Sequence, residues 1–408
     1  MAVVHQQVPG PRPVPGGLSG IRGLRSAGVH CGIKSRSPDL AVLVTDGPAV
    51  AAATFTTNRV QAAPVIVTRE HLSRSETVRG VVIASGVANA CTGHQGLENA
   101  RTMAALLAQH LGVAPEEVLV ASTGVIGKQL PMPKVEAGIA AALAQARADG
   151  GADAARAICT TDTRPKEAAV EVALRGGVVR VGGMAKGSGM IHPNMATMLA
   201  FVATDAQVDR AWLAQRWRQS VAATYNRITV DGDTSTNDMA VVLATGASGV
   251  APQGPEEEAL LGRALDWVNL ELARMIAADG EGAQHLLVVR VTGAASPAEA
   301  DGCARVIAAS PLVKTAIAGK DPNWGRILAA AGRAGVALDP DRLELWIGGV
   351  RVAAGGMGLP GAEAAAREAM EAFEVEIRLD LGVGEHEGLA FGCDLTEGYV
   401  RINAAYRT

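Results

Sequence analysis

The sequence predicts an α/β body, α+β in detail, in which helices pack on a layered mixed sheet. Two observations carry that expectation. Short β-branched runs of strand length recur along the chain, each bounded by Gly, Asp, Ser or Pro. Ala/Leu-rich segments with a 3.6-residue period lie between them, without strict strand–helix–strand alternation. In chain order the expected strands are 40–44, 80–85, 117–122, 169–174, 198–204, 239–245, 286–292 and 374–379. The clearest helices are 97–111, stopped by Gly112, then 133–149 and 255–278. The last opens on Pro255 followed by Glu256, Glu257 and Glu258, and acidic side chains favour the positive end of a helix dipole. Residues 1–16 are rich in Pro and Gly and read as a flexible tail.

Composition narrows the function. Apolar residues make up 48% of the 408, but aromatic ones only 3%, so the core must be built from Val, Leu, Ile and Ala. Net charge is -4 and no basic run is present, which leaves no electrostatic footprint for nucleic acid. No stretch reaches the roughly 18 apolar residues of a membrane-spanning helix. Cys31, Cys91, Cys159, Cys303 and Cys393 are scattered and odd in number, which argues against disulfides and metal and for a reducing cytoplasm. The eight histidines show no metal-binding spacing. The expectation is an enzyme without metal or cofactor, whose partners are small molecules or copies of itself.

The densest functional segment is 183-GMAKGSGMIHPNMATMLAFVATDA-206. Gly-rich backbone leads through Pro193 and Asn194 to Ala196 and Thr197, and then abruptly into an apolar strand. Thr197 could simply cap backbone groups where a loop enters a strand. A phosphate loop is a poor match, because Lys186 precedes the glycines. The sharper reading is self-processing. The Thr197 hydroxyl attacks the Ala196 carbonyl, the acyl group moves from nitrogen to oxygen, and water hydrolyses the ester. Thr197 then carries a free α-amino group with an ordinary pKa of about 7.7–8. That amine can serve as general base for its own hydroxyl, with no His or Asp required.

Acyl transfer also needs preorganised donors for an oxyanion. Thr123 and Gly124, at the end of the strand 117–122, offer a hydroxyl and an uncrowded N–H, although a plain strand-to-loop turn would look the same. Three polar runs remain. The segments 160-TTDTRPK-166 and 229-TVDGDTSTND-238 read as scaffolds that hydrogen-bond loops around a site, since the second lacks the order of a calcium loop. In 320-KDPNWGRI-327, Trp324 reads as an aromatic plug in a turn.

Together, KGSGMIHPNMATMLAF, TTDTRPK, VDGDTSTND, ADGEGA, KDPNWGRI and CDLTEGYVRINAAYRT resemble the bifunctional glutamate N-acetyltransferase/ornithine acetyltransferase family of arginine biosynthesis. The resemblance runs from about Gly17 to Thr408. It implies an N-terminal-nucleophile-like fold and autocatalytic cleavage between Ala196 and Thr197. Residues 17–196 would form an α chain and 197–408 a β chain, assembled as an α2β2 heterotetramer. By motif, Thr197 becomes the nucleophile, Thr123 and Gly124 the oxyanion hole, and Thr160, Lys186, Thr197, Glu281, Asn403 and Thr408 the substrate contacts; Thr161 and Thr163 are alternatives to Thr160.

The implied activity moves acetyl from N2-acetylornithine to glutamate through an acetyl-Thr197 ester, with acetyl-CoA as a further donor in some members. Lys186 would pair with the α-carboxylate and Glu281 with the side-chain ammonium. Ala84 and Val87 stand where the family usually has asparagines, and Gln284 and His285 where it commonly has Thr-Lys. These differences put supporting hydrogen bonds and acceptor preference in question. A self-cleaved threonine-nucleophile amidohydrolase or aminopeptidase and an uncut, non-catalytic relative are the alternatives.

Overall fold

The computed structural model describes residues 10–192 and 198–405. Nine strands form one connected sheet: β1 (Arg12–Val14), β2 (Leu24–Val29), β3 (Leu40–Phe55), β4 (Val78–Val87), β5 (Val118–Val125), β6 (Lys166–Leu174), β7 (Gly177–Lys186), β8 (Leu199–Thr204) and β9 (Met239–Ala244). Their order is β1-β6-β7-β8-β9-β3-β4-β5, with β2 also paired to β3. The pairs β4–β5 and β8–β9 are parallel and the others antiparallel, so the sheet is mixed. β3 joins two halves of it. Its first part, Leu40–Thr45, pairs with β2 and β4, while Val50–Phe55 pairs with β9.

Strand alternation then stacks the halves. Leu40, Val42 and Val44 of β3 pack with Val82, Val120, and Met103 and Val135 from the helices Gly93–Leu111 and Met132–Gln145. The intervening Ala41 and Leu43 face the other way and share a core with Ile83, Leu119, Phe201 and Val241. On the far side of β8 and β9, Ala200, Val202 and Val242 meet Trp217 of the helix Arg210–Ala223 and Leu272 of the helix Pro255–Ala278. The result is four layers, helix–sheet–sheet–helix.

A second sheet closes the C-terminal part. It comprises β10 (Leu286–Ala294), β11 (Glu344–Ile347), β12 (Val350–Ala354), β13 (Met357–Gly358), β14 (Glu374–Asp380) and β15 (His386–Cys393), ordered β13-β12-β11-β14-β10-β15. The helices Pro297–Ala308 and Trp324–Gly332 cover it through Ile307 and Ile327.

All eight expected strands are present, and three readings need correction. Residues 12–14 of the expected tail form β1, paired with β6. The helix expected over 133–149 stops at Gln145, because the Ser26 and Arg147 amides exchange backbone hydrogen bonds with each other's carbonyls. Trp324 does not plug a turn; it starts a helix whose N-cap, Asn323, accepts from the Arg326 amide. Among the described residues, no helix is long and apolar enough to cross a membrane.

One buried polar chain braces the outer helices. The Tyr225 hydroxyl donates to Asn269 Oδ1 at 3.0 Å, and Asn269 Nδ2 donates to Ser220 Oγ at 2.8 Å. Tyr225→Phe leaves that acceptor buried and unpaired, and is expected to lower unfolding free energy by about 1–3 kcal/mol in urea titration.

Candidate active site

A cavity of about 200 Å³ opens where the two halves of the sheet meet the 281–282 turn and the C-terminal helix Glu397–Ala405. Thr123 and Gly124 reach it from the end of β5, where Gly124 lies opposite Gly86 of β4. Gly124 has φ +129°, and a Cβ there would stand 2.3 Å from the Gly86 carbonyl carbon. Glycine is required at that position. Lys186 enters from the end of β7, in register with Leu199 of β8. Its buried ammonium donates to Thr123 Oγ1 at 3.4 Å and lies 3.9 Å from Asp162 Oδ2.

Thr160 and Thr161, which follow the helix Gly151–Ile158, line the cavity. Thr163 does not; its amide and hydroxyl both donate to the Asp279 carboxylate. Glu281 is buried, and its amide donates to the Ser188 carbonyl at 2.9 Å. A Cβ on Gly189 would come within 2.4 Å of the Glu281 carboxyl, so this glycine makes room for the acid. Asn403 Nδ2 donates to Glu281 Oε2 at 2.8 Å, tying the C-terminal helix to the same wall. Thr123, Gly124, Thr160, Lys186, Glu281 and Asn403 therefore meet around one space. Ala196, Thr197 and Thr408 lie outside the described residues.

The run 229–238 scaffolds this space. Asp231 accepts from the Met190 and Ile191 amides at 2.6 and 2.9 Å. Asn237 Nδ2 donates to the Ala88 and Ser122 carbonyls at 2.6 and 2.8 Å, fastening the loop beside Thr123. Asp238 Oδ1 accepts from the Met198 amide at 3.0 Å, and burial pushes this carboxyl well above the usual carboxylate range. Burial also raises Asp231, against the amides that favour its charged form.

Asp162 goes the other way. Burial alone would raise it, but the Lys186 and Lys166 ammoniums hold it well below the usual range. Asp162 and Lys166 fall in the 160–166 run read above as a scaffold, whereas Asp279 and Tyr399, whose hydroxyl lies 3.3 Å from Asp231 Oδ2, are not singled out by the sequence. Asp162 and Lys166 also share an i, i+4 spacing.

The positions that differ from the family pattern sit apart. Ala84 and Val87 pack in the core under the helices 93–111 and 132–145. The Gln284 and His285 amides donate to Asp394 Oδ1, and His285 Nδ1 lies 2.9 Å from Asp394 Oδ2. None of the four lines the cavity.

Among the described residues lining it, Lys186 is the one cation, facing Glu281, Asp231 and Asp233 across hydroxyls and amides. Such a dipolar space suits a small molecule carrying both charges. No group of three or more His, Cys, Asp or Glu among the described residues is placed to hold a metal ion.

The profile of the ArgJ family matches residues 25–408. An arginine biosynthesis bifunctional protein ArgJ from Symbiobacterium thermophilum is 49% identical over 399 residues, covering 96% of this chain and 99% of the relative. Its counterpart from Thermus thermophilus is 50% identical over 388 residues, 95% of this chain and 98% of the relative. A crystal structure of the protein of the same name from Bacillus halodurans is 44% identical, with a TM-score of 0.50, and covers 52% of this chain and 100% of that one. Similar along almost its entire length to relatives at half identity, the chain belongs to the ArgJ family of acyltransferases.

Proposed function

We propose that this enzyme serves arginine biosynthesis by moving the acetyl group of N2-acetylornithine to glutamate, through an ester on Thr197 freed by self-cleavage after Ala196. The observation that carries the reading is the convergence of Thr123, Gly124, Thr160, Lys186, Glu281 and Asn403 on one cavity. Leu199, two residues beyond Thr197, is in register with Lys186. Chain connectivity thus brings the nucleophile's neighbour to the cavity edge.

In the first half-reaction the Thr197 hydroxyl attacks the acetyl carbonyl and passes its proton to the α-amine. Thr123 and the Gly124 N–H stabilise the oxyanion. The amine then protonates the departing nitrogen of ornithine, leaving acetyl-Thr197. Glutamate enters and its amino group attacks the ester, giving N-acetylglutamate. Lys186 pairs with the α-carboxylate of each substrate and Glu281 with the ornithine ammonium. An amide is exchanged for a similar amide, so neither ATP nor a cofactor takes part. Acetyl-CoA would reach the same ester as an alternative donor, in keeping with the bifunctional name of the relatives.

A half-length relative supports the cut. The complete Bacillus halodurans chain matches only 52% of this chain, as a separated fragment would. The two pieces would stay together, since β8 and β9 lie between β7 and β3, and we propose an α2β2 assembly. Intact-mass measurement of purified protein is expected to show two fragments, the second beginning at Thr197. Labelled glutamate should be acetylated by N2-acetylornithine. Acetate released at the same rate without glutamate would identify a hydrolase instead.

A further inference from the structure

Behind the cavity wall lies a buried charge pair that the proposed transfer does not use. Lys166, the first residue of β6, and Asp279, just past the helix Pro255–Ala278, have side chains 0% and 4% exposed, and neither lines the cavity. Lys166 Nζ donates at 2.6 Å to Asp162 Oδ1 and at 2.6 Å to Asp279 Oδ2. Asp162 Oδ1 also accepts from the Gly187 amide at 2.7 Å, and Oδ2 from the Thr160 amide at 3.0 Å. Oδ1 thus accepts twice and Oδ2 once.

Lys186 makes no direct hydrogen bond to this carboxylate. At 3.9 Å from Asp162 Oδ2, its ammonium is beyond hydrogen-bond reach. Its contact with Thr123 Oγ1 is long, at 3.4 Å. An ammonium has three donors, so Lys186 retains hydrogen-bonding capacity toward the cavity. A buried carboxylate deprived of its cation is strongly disfavoured, and Lys186 is the nearby replacement for Lys166.

We propose that Lys166 is a positioning residue: by holding Asp162, it keeps the Lys186 ammonium free for a substrate carboxylate. This rests on the reading of Lys186 as the carboxylate's partner. The opposite wall has its own support: the Asp279 carboxylate also accepts from the Thr163 amide and hydroxyl, Ser188 Oγ donates to the Asp279 carbonyl at 2.7 Å, and the Glu281 amide donates to the Ser188 carbonyl.

The test is steady-state transfer to glutamate from N2-acetylornithine and from its decarboxylated counterpart, N-acetyl-1,4-diaminobutane. Lys166→Met is expected to raise KM for N2-acetylornithine about tenfold, with kcat held within about twofold and KM for the decarboxylated donor unchanged. Lys166→Met/Asp162→Asn removes one charge of each sign, leaves Asp279 held by the Thr163 amide and hydroxyl, and should return KM for N2-acetylornithine to near its original value. Equal losses with both donors, or a fall in kcat at constant KM, overturn the proposal. If the single variant does not fold, the charge-balanced double variant decides, and a raised KM there overturns it. Lys186→Met separates the two layers of inference: unchanged KM for N2-acetylornithine would remove the carboxylate assignment itself.

Discussion

Thr197→Ala is expected to leave one uncut chain of 408 residues and to lower acetyl exchange by at least about a thousandfold. In the proposed reaction one hydroxyl acts twice. It first opens the peptide bond behind it and then carries the acetyl group, so alanine removes both steps and the amine that the first one creates. Thr197→Ser keeps an attacking oxygen and should still be cut and retain exchange, which separates loss of the nucleophile from disturbance of the strand. A denaturing gel and transfer to labelled glutamate read both outcomes. An alanine variant that stays whole and exchanges normally would rule out the threonine ester.

Gly124→Ala is expected to cost about 1–3 kcal/mol of stability and to reduce kcat/KM about 10²–10³-fold. The added methyl would stand 2.3 Å from a backbone carbon of Gly86, and φ +129° is strained for any residue with a Cβ. Neither backbone can yield without parting β4 from β5 at the edge of the cavity. The N–H proposed as oxyanion donor moves with it. Urea titration reads the first effect and initial rates the second. Undiminished turnover in a folded variant would remove Gly124 from the oxyanion hole.

The sequence exposed those parts of the fold whose signal is local. Runs such as VLVAS and LAFVAT announce strands because each is short, β-branched or apolar, and ends at a polar residue. Two other strands were harder to see. β7 reads GVVRVGGMAK, and its glycines blur the pattern because they make room for neighbours: a Cβ on Gly182 would meet the Gly17 carbonyl oxygen at 2.0 Å. β15 reads HEGLAFGC, with neither alternation nor a β-branched residue, and is held by pairing with β10. The length of β3 was hidden too, because its centre, TDGP, carries turn residues while the strand passes from one half of the sheet to the other.

The site was legible where a motif concentrates polar residues, as at TTDTRPK and VDGDTSTND. It was illegible where the contact spans the chain. Asp279 meets Lys166 across 113 positions, and no pattern within either segment announces the other. The same holds for Asn403 and Glu281, which are 122 positions apart and whose pairing needs the final helix in place.

The strand order has one more consequence. β8 and β9 belong to the segment after residue 197, yet they are flanked by β7 and β3, which precede it. In the proposed self-processing, the hydrogen-bond ladders on both flanks form while the polypeptide is continuous, so the uncut precursor is the species that finds the fold. Once severed, the halves would inherit an arrangement that neither encodes alone, and reassembly after full denaturation would become an encounter between two molecules. Maturation in such a design is irreversible in practice: it converts a folding problem already solved into a lasting, non-covalent embrace.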